Sequence, residues 1–191
     1  MKYKIITISR QFGSGGRTVG KELAARLGIP CYDQELIEMF AEKSGFSQTH
    51  IAELNEESTK SRFIPGRDDR VERSLQYTLW QKQRDVILEL AEKEPCVIVG
   101  RCADYILRDR EDTLRVYIHA DKEKRAKRIV EVYGERKDSP MKRINDKDKR
   151  RENYYESFTN NKWGDAENYH VALDSGELSI ETCVKLLNEL C

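Results

Sequence analysis

The 191-residue sequence predicts an α/β domain built on a parallel sheet, and three features carry that prediction. The runs "KIITIS" at 4–9, "CVIVG" at 96–100 and "RVYIHA" at 115–120 are nearly continuously apolar or β-branched, as in strands covered on both faces. Segments between them repeat apolar residues at helical spacing, and strands alternating with helices give a parallel sheet. The first strand also runs into a glycine-rich turn that opens a helix, "ISRQFGSGGRTVGKELAARLG" at 8–28.

Each element follows from local chemistry. After the turn, Val19, Leu23 and Leu27 recur on one helical face, and Gly28 supplies a C-terminal stop. "IPCYD" gives a short strand. Asp33 then caps a helix carrying Leu36, Ile37, Phe40 and Ala41, which ends near Ser44 and Gly45. Residues 46–70 are polar and read as a loop-and-helix excursion. A long helix follows, with Val71, Leu75, Leu79, Val86, Ile87 and Leu90 on one stripe. The spacing predicts a helix over 121–133, turn-like chain over 134–145 and a second helix over 146–158. "HVALDS" is the last strand and "SIETCVKLLNEL" a closing amphipathic helix. No internal repeat, low-complexity tract or linker divides the chain, so one domain is expected.

Composition narrows the classes of function. The 34 basic and 34 acidic residues cancel, so overall charge gives no argument for a nucleic-acid or membrane partner. No apolar run approaches the ~20 residues that span a bilayer. Five cysteines, Cys31, Cys96, Cys102, Cys183 and Cys191, are odd in number and lack C-x-x-C spacing. With an N-terminal "MKYKIITIS" that enters a strand without a signal-peptide pattern, they predict a cytoplasmic protein with reduced thiols. His50, His119 and His170 have no metal-ligand spacing.

The glycine turn is the strongest chemical signal. Measured against the phosphate-loop pattern G-x-x-x-x-G-K-[ST], Gly16 and Thr18 fit, while Gln11 replaces the first Gly and Arg17 replaces the Lys. Gly13, Gly15 and Gly16 let the backbone turn tightly and approach an anion, with Ser14 among them. A helix N-terminus offers unpaired N–H groups and a partial positive charge there. Thr18 can place its hydroxyl on a magnesium ion, and Arg17 can contribute charge with a longer, forked reach than Lys. The alternative is a strand-to-helix turn whose glycines serve packing only.

With later stretches added, the chain resembles the cytidylate kinase-like proteins, a branch of the P-loop nucleoside-monophosphate kinases. The stretches are the loop itself, "CYDQELI", "VIVGRCADYIL", "VYIHADKEKRAKRI" and "DKRRENYYESFTNNKWGDAENYHVALDS". The resemblance covers nearly the whole chain, and an S-R-x-F-G-S-G-G-R loop is common in this branch. It implies a P-loop NTPase-type parallel sheet with a mobile basic lid near 133–150 and a helical acceptor-binding region near 34–92. It further implies ATP- and Mg²⁺-dependent transfer of a phosphoryl group to a small phosphorylated acceptor, with CMP the default. Residues 13–18 would hold the ATP phosphates, and Asp33 would sit near acceptor and metal. Gly100 and Arg101 would face the acceptor phosphate. Arg125 and Arg128 match lid arginines, and Arg151 matches an arginine contacting the acceptor or the transferred group.

Charge distribution agrees with these roles without the family. Residues 122–151 hold 13 Lys or Arg against 6 Asp or Glu, a local excess suited to a lid over polyphosphate. Simpler readings stand beside the functional ones. Asp33 can serve as a helix cap, Arg125 and Arg128 can form a solvated basic face, and Asp104 can assist a metal or pair with Arg101. Either Arg150 or Arg151 can be the inward arginine. Tyr154, Tyr155 and Trp163 read as core, and Asn160 and Gly164 as turn residues. Arg73, Gln76, Tyr77 and Gln83 are positional candidates for reading a base. Two other functions remain open: a nucleotide-binding regulator with little or no transfer, and a kinase for a different small acceptor.

Overall fold

The computed structural model describes residues 2–33, 39, 69–134 and 136–191. The expected helix after Asp33 and the 46–68 part of the polar excursion fall outside them. The described elements run β1 (Ile5–Arg10), α1 (Gly16–Leu27), β2 (Cys31–Tyr32), α2 (Asp69–Lys93), β3 (Cys96–Val99) and α3 (Ala103–Ile106). They continue with β4 (Thr113–His119), α4 (Lys122–Tyr133), α5 (Pro140–Thr159), β5 (Val171–Asp174) and α6 (Ile180–Leu190), with a 3₁₀ turn at Ala166–Asn168.

All five strands are parallel, in the order β2-β3-β1-β4-β5. Strand β1 is central, with Ile5 opposite both Cys96 and Thr113. Its side chains alternate between two cores. Ile6 and Ile8 join Val97, Val99, Val116, Ile118, α1 and α6 on one face. Ile5 joins Cys96, Ile98, α2 and α3 on the other. Burial on both faces explains why these strands read as continuous apolar runs. Because both neighbours of β1 come later in the chain, the topology switches direction beside its C-terminal end, where a crevice forms.

Most elements fall where the periodicity puts them. The difference lies at residues 134–145, where α5 begins at Pro140 instead of near 146. The Ser139 hydroxyl accepts from Lys142 N at 3.3 Å, and Pro140 occupies the first turn, a start signal stronger than the weak apolar pattern there. Gly28 ends α1 in left-handed geometry, donating to the carbonyls of Ala24 and Ala25. Asn160, at φ 57°, ends α5 the same way.

A third cluster joins Cys102, Tyr154 and Tyr155 with Trp80, Phe158 and Trp163, so these aromatics are core as expected. None of the five cysteines is in a disulfide. No helix among the described residues is long and apolar enough to cross a membrane.

Candidate functional site

The glycine loop leaves β1 at the crevice and is tied on every side. Gln11 N donates to Ile118 O at 3.0 Å, and the Gln11 side chain accepts from Ala120 N at 3.2 Å. Gln11 thus lashes the loop to the end of β4 with a side chain that glycine lacks. Ser14 is fully buried, its hydroxyl donating to Gln11 O at 2.9 Å. Gly13 and Gly15 stand at φ 79° and 80°, which favours residues without Cβ. Gly16 is tighter still, because a Cβ there would lie 2.5 Å from Arg10 Cβ. The cap of α1 is Gly15, with no side chain to accept from the first-turn amides, and the first turn carries no acid. A helix end of this kind offers backbone N–H groups and a partial positive charge to an anion. Thr18 is exposed in that turn.

Two of the expected arginines bond the loop backbone, and a third bonds the end of β1 that leads into it. Arg125 is 2% exposed and donates to Ala120 O at 2.9 Å, Phe12 O at 3.0 Å and Asp148 Oδ2 at 2.6 Å. Of the two readings of Arg125, the solvated basic face does not hold: its guanidinium is buried within the loop's support. Arg128 donates to Gly13 O and Ser175 O, each at 3.1 Å. Ser175, just past β5, in turn donates to Ser14 O and His119 O. Arg151 donates to Arg10 O at 3.2 Å, at the end of β1 just before the loop.

Helix α5 meets the loop through one stripe. Asp148 Oδ1 accepts from Phe12 N at 2.7 Å while its other oxygen holds Arg125. The Phe12 ring lies among three cations of the same helix, Arg143, Lys147 and Arg151, at 6.0, 5.3 and 5.8 Å from its centroid. Sequence reasoning passed over Asp148, Phe12 and Ser175. The helical repeat 144, 148, 151, 155 was the available signal for Asp148.

On the other side of the crevice, Arg17 Nε is ion-paired with Asp33 Oδ2, and Arg10 Nη2 lies 4.0 Å from Asp33 Oδ1. Gly100, Arg101 and Cys102 are all left-handed, at φ 78°, 61° and 54°, a turn at the carboxyl end of β3. Gln83 donates to Arg101 O at 3.1 Å and is 4% exposed. It buttresses the turn instead of facing solvent, whereas Tyr77 is 55% exposed. The Arg73 side chain lies outside the described residues.

Asp104 lies inside the fold. It is 2% exposed and accepts from Ser9 Oγ at 3.1 Å and Tyr155 Oη at 2.7 Å. Burial pushes its carboxyl above the ordinary value, opposed by those two hydrogen bonds. Burial likewise drives the Tyr155 and Tyr169 hydroxyls upward, so both stay protonated at neutral pH.

The donor set fits a nucleotide phosphate chain: first-turn amides, an exposed threonine and surrounding guanidiniums. Among the described residues no group of three His, Cys, Asp or Glu could hold a metal by itself. A magnesium ion here would rest on Thr18, nucleotide phosphates and water, with Asp33 at hand.

The profile of the cytidylate kinase-like family matches residues 5–177. Among curated proteins no sequence matches the chain. An uncharacterized protein from Eubacterium ventriosum is similar in structure, with TM-score 0.75 and 28% identity over 97% of this chain and 96% of that one. A shikimate kinase from Bacteroides thetaiotaomicron gives TM-score 0.57 at 18% identity, over 97% of each chain. A gluconokinase from Sinorhizobium meliloti gives 0.51 at 15%, over 97% and 91%. The last two share the fold, that of P-loop kinases.

Proposed function

Because the chain belongs to the cytidylate kinase-like family, we propose that it transfers the γ-phosphate of ATP to a small acceptor, most simply a nucleoside monophosphate such as CMP. The observation that carries this reading is the N-terminus of α1, which has no side-chain cap, framed by a glycine loop that Arg125 and Arg128 hold, with Arg151 on the strand end leading into it.

In the reaction an acceptor phosphate oxygen bonds to the γ-phosphorus. The bond from that phosphorus to the β,γ-bridging oxygen breaks, and ADP leaves with the electron pair. The protein's task is placement and positive charge around the moving group. Residues 13–18 hold the phosphate chain by backbone amides. The Thr18 hydroxyl would be the protein ligand of a magnesium ion, which would supply charge neutralisation of the phosphates. Arg17 supplies the cation that lysine supplies in the ordinary pattern. Gly100 and Arg101 present the acceptor phosphate, and Asp33 orients acceptor and metal water. Arg151 bridges the lid helix and the transferred group. Arg128 holds the loop and borders the nucleotide, while Arg125 acts as a positioning residue through Phe12 and Asp148.

The test is ADP release with ATP, Mg²⁺ and a panel of nucleoside monophosphates, extended to shikimate and gluconate, beside Thr18→Ala and Arg101→Ala. Turnover with one monophosphate, lost in both variants, supports the reading. Turnover only with a non-nucleotide acceptor would move the assignment to another small-molecule kinase. A second reading, a nucleotide-binding regulator, is favoured by one observation: Arg17 is engaged by Asp33. Silence across the panel with ATP bound would leave two readings, this one and a kinase for a different small acceptor.

A further inference from the structure

Arg10 ends β1 one residue before the loop and carries no role in the phosphate-loop pattern. Its stem passes so close to Gly16 that a Cβ there would lie 2.5 Å from Arg10 Cβ and 3.2 Å from Cγ. The side chain therefore crosses the first residue of α1, beside the first-turn amides. From there its guanidinium reaches Asp33, whose other oxygen pairs with Arg17. Arg10 and Asp33 are well shielded, at 14% and 12% side-chain exposure, against 44% for Arg17. Two guanidiniums thus share one carboxylate at the mouth of a phosphate cradle.

We propose that Arg10 is a second phosphate-binding arginine, and that Asp33 is the counter-ion which Arg10 and Arg17 exchange for an incoming polyphosphate. The chemistry supports the exchange. A carboxylate and a phosphate present similar paired oxygens to a guanidinium, and the fork of arginine accepts either. Two guanidiniums brought to one carboxylate in a shielded crevice gather positive charge where a multiply charged ligand is the stronger partner than a single carboxylate. The same arrangement gives a reason for arginine at position 17. A forked guanidinium meets a carboxylate and a phosphate alike through paired N–H groups, so it can pass from Asp33 to the incoming ligand, which the point charge of lysine does less well. Release from the arginines also frees the Asp33 carboxylate for acceptor or metal water at the moment the donor binds. The proposal rests on the phosphotransferase reading and deepens it.

The test is equilibrium binding, with turnover measured separately. The full chain is titrated calorimetrically with Mg²⁺-free ATP and with inorganic tripolyphosphate at two salt concentrations. Asp33→Asn removes the competing anion, so both ligands should bind tighter, on the order of fivefold, while turnover falls. Arg10→Gln should weaken both on the order of tenfold and flatten the salt dependence, and Arg10→Lys should recover part of the affinity. A purely structural Asp33 would not give tighter binding together with slower turnover. Unchanged or weaker binding in a folded Asp33→Asn, or wild-type affinity in Arg10→Gln, overturns the proposal. If those affinities fail to move while the wild type turns over a monophosphate, only this proposal falls. If they move as stated and no acceptor is phosphorylated, the kinase reading falls and the anion exchange stands. Absence of binding by either ligand to the wild type overturns both.

Discussion

At the scale of single residues, two buried charges near the loop behave oppositely and can be told apart. Arg125 is satisfied by two carbonyls and a carboxylate, so Arg125→Met strands Asp148 in a crevice where it is 17% exposed. Breaking such a pair costs about 3 kcal/mol. For a chain of this size the melting temperature should fall by roughly 10 °C. Calorimetric melting within a degree or two of wild type would show that the pair carries no such load. Asp104 holds its proton more tightly folded than unfolded, because burial raises its carboxyl above the ordinary 3.8. Its contribution to stability is therefore present in acid and declines as pH rises above that value. Asp104→Asn keeps a neutral acceptor for Tyr155 and has no such decline. Urea denaturation at pH 5 and pH 8 should show the variant gaining on wild type at the higher pH, and the reverse trend would contradict the assignment. Position 104 was legible only as an acid near Arg101. Its partners Ser9 and Tyr155 are 95 and 51 residues away, and no local pattern links them.

Among the elements, the joint between β1, the loop and α1 is the tightest. Gly16→Ala places a Cβ against Arg10 Cβ and, at 3.2 Å, against Ile118 Cβ, atoms close to backbone that cannot swing aside. Overpacking of this kind costs about 2 kcal/mol and pushes α1 off the sheet, so ATP binding should be lost. Gly28→Ala is the matched control. It also has positive φ, at 68°, yet nothing lies within 4 Å of the added carbon, so it should cost about 1 kcal/mol and leave ATP affinity intact. Equal loss of ATP binding in both variants would mean that general destabilisation is responsible. The strand–glycine–helix joint was readable because its chemistry is contiguous in sequence. The start of α5 was less so. Its charged turns dilute the apolar repeat, and the Ser139–Pro140 start signal outweighs that pattern. The face that α5 turns to the loop depends on Asp148 meeting Phe12, 136 residues earlier in the chain.

Over the whole molecule, the alternation of continuous apolar strands with helices was enough to give a parallel α/β sheet. Periodicity reports which faces a strand buries and not which strand lies beside it, so the order β2-β3-β1-β4-β5 came from the structure. That order gathers Gly13, Arg17, Asp33, Arg101, Arg128 and Arg151 from segments spread over most of the chain to one edge of the sheet. The central claim is that this edge transfers phosphate with arginine where lysine is usual. The most direct test follows label from [γ-³²P]ATP into an acceptor monophosphate, for the wild type and Arg17→Lys side by side, with ATP affinity measured on both. The account predicts transfer by the wild type and on the order of tenfold slower transfer by Arg17→Lys, with ATP affinity changed by only a few-fold. ATP bound by both proteins with no label transferred by either would contradict it.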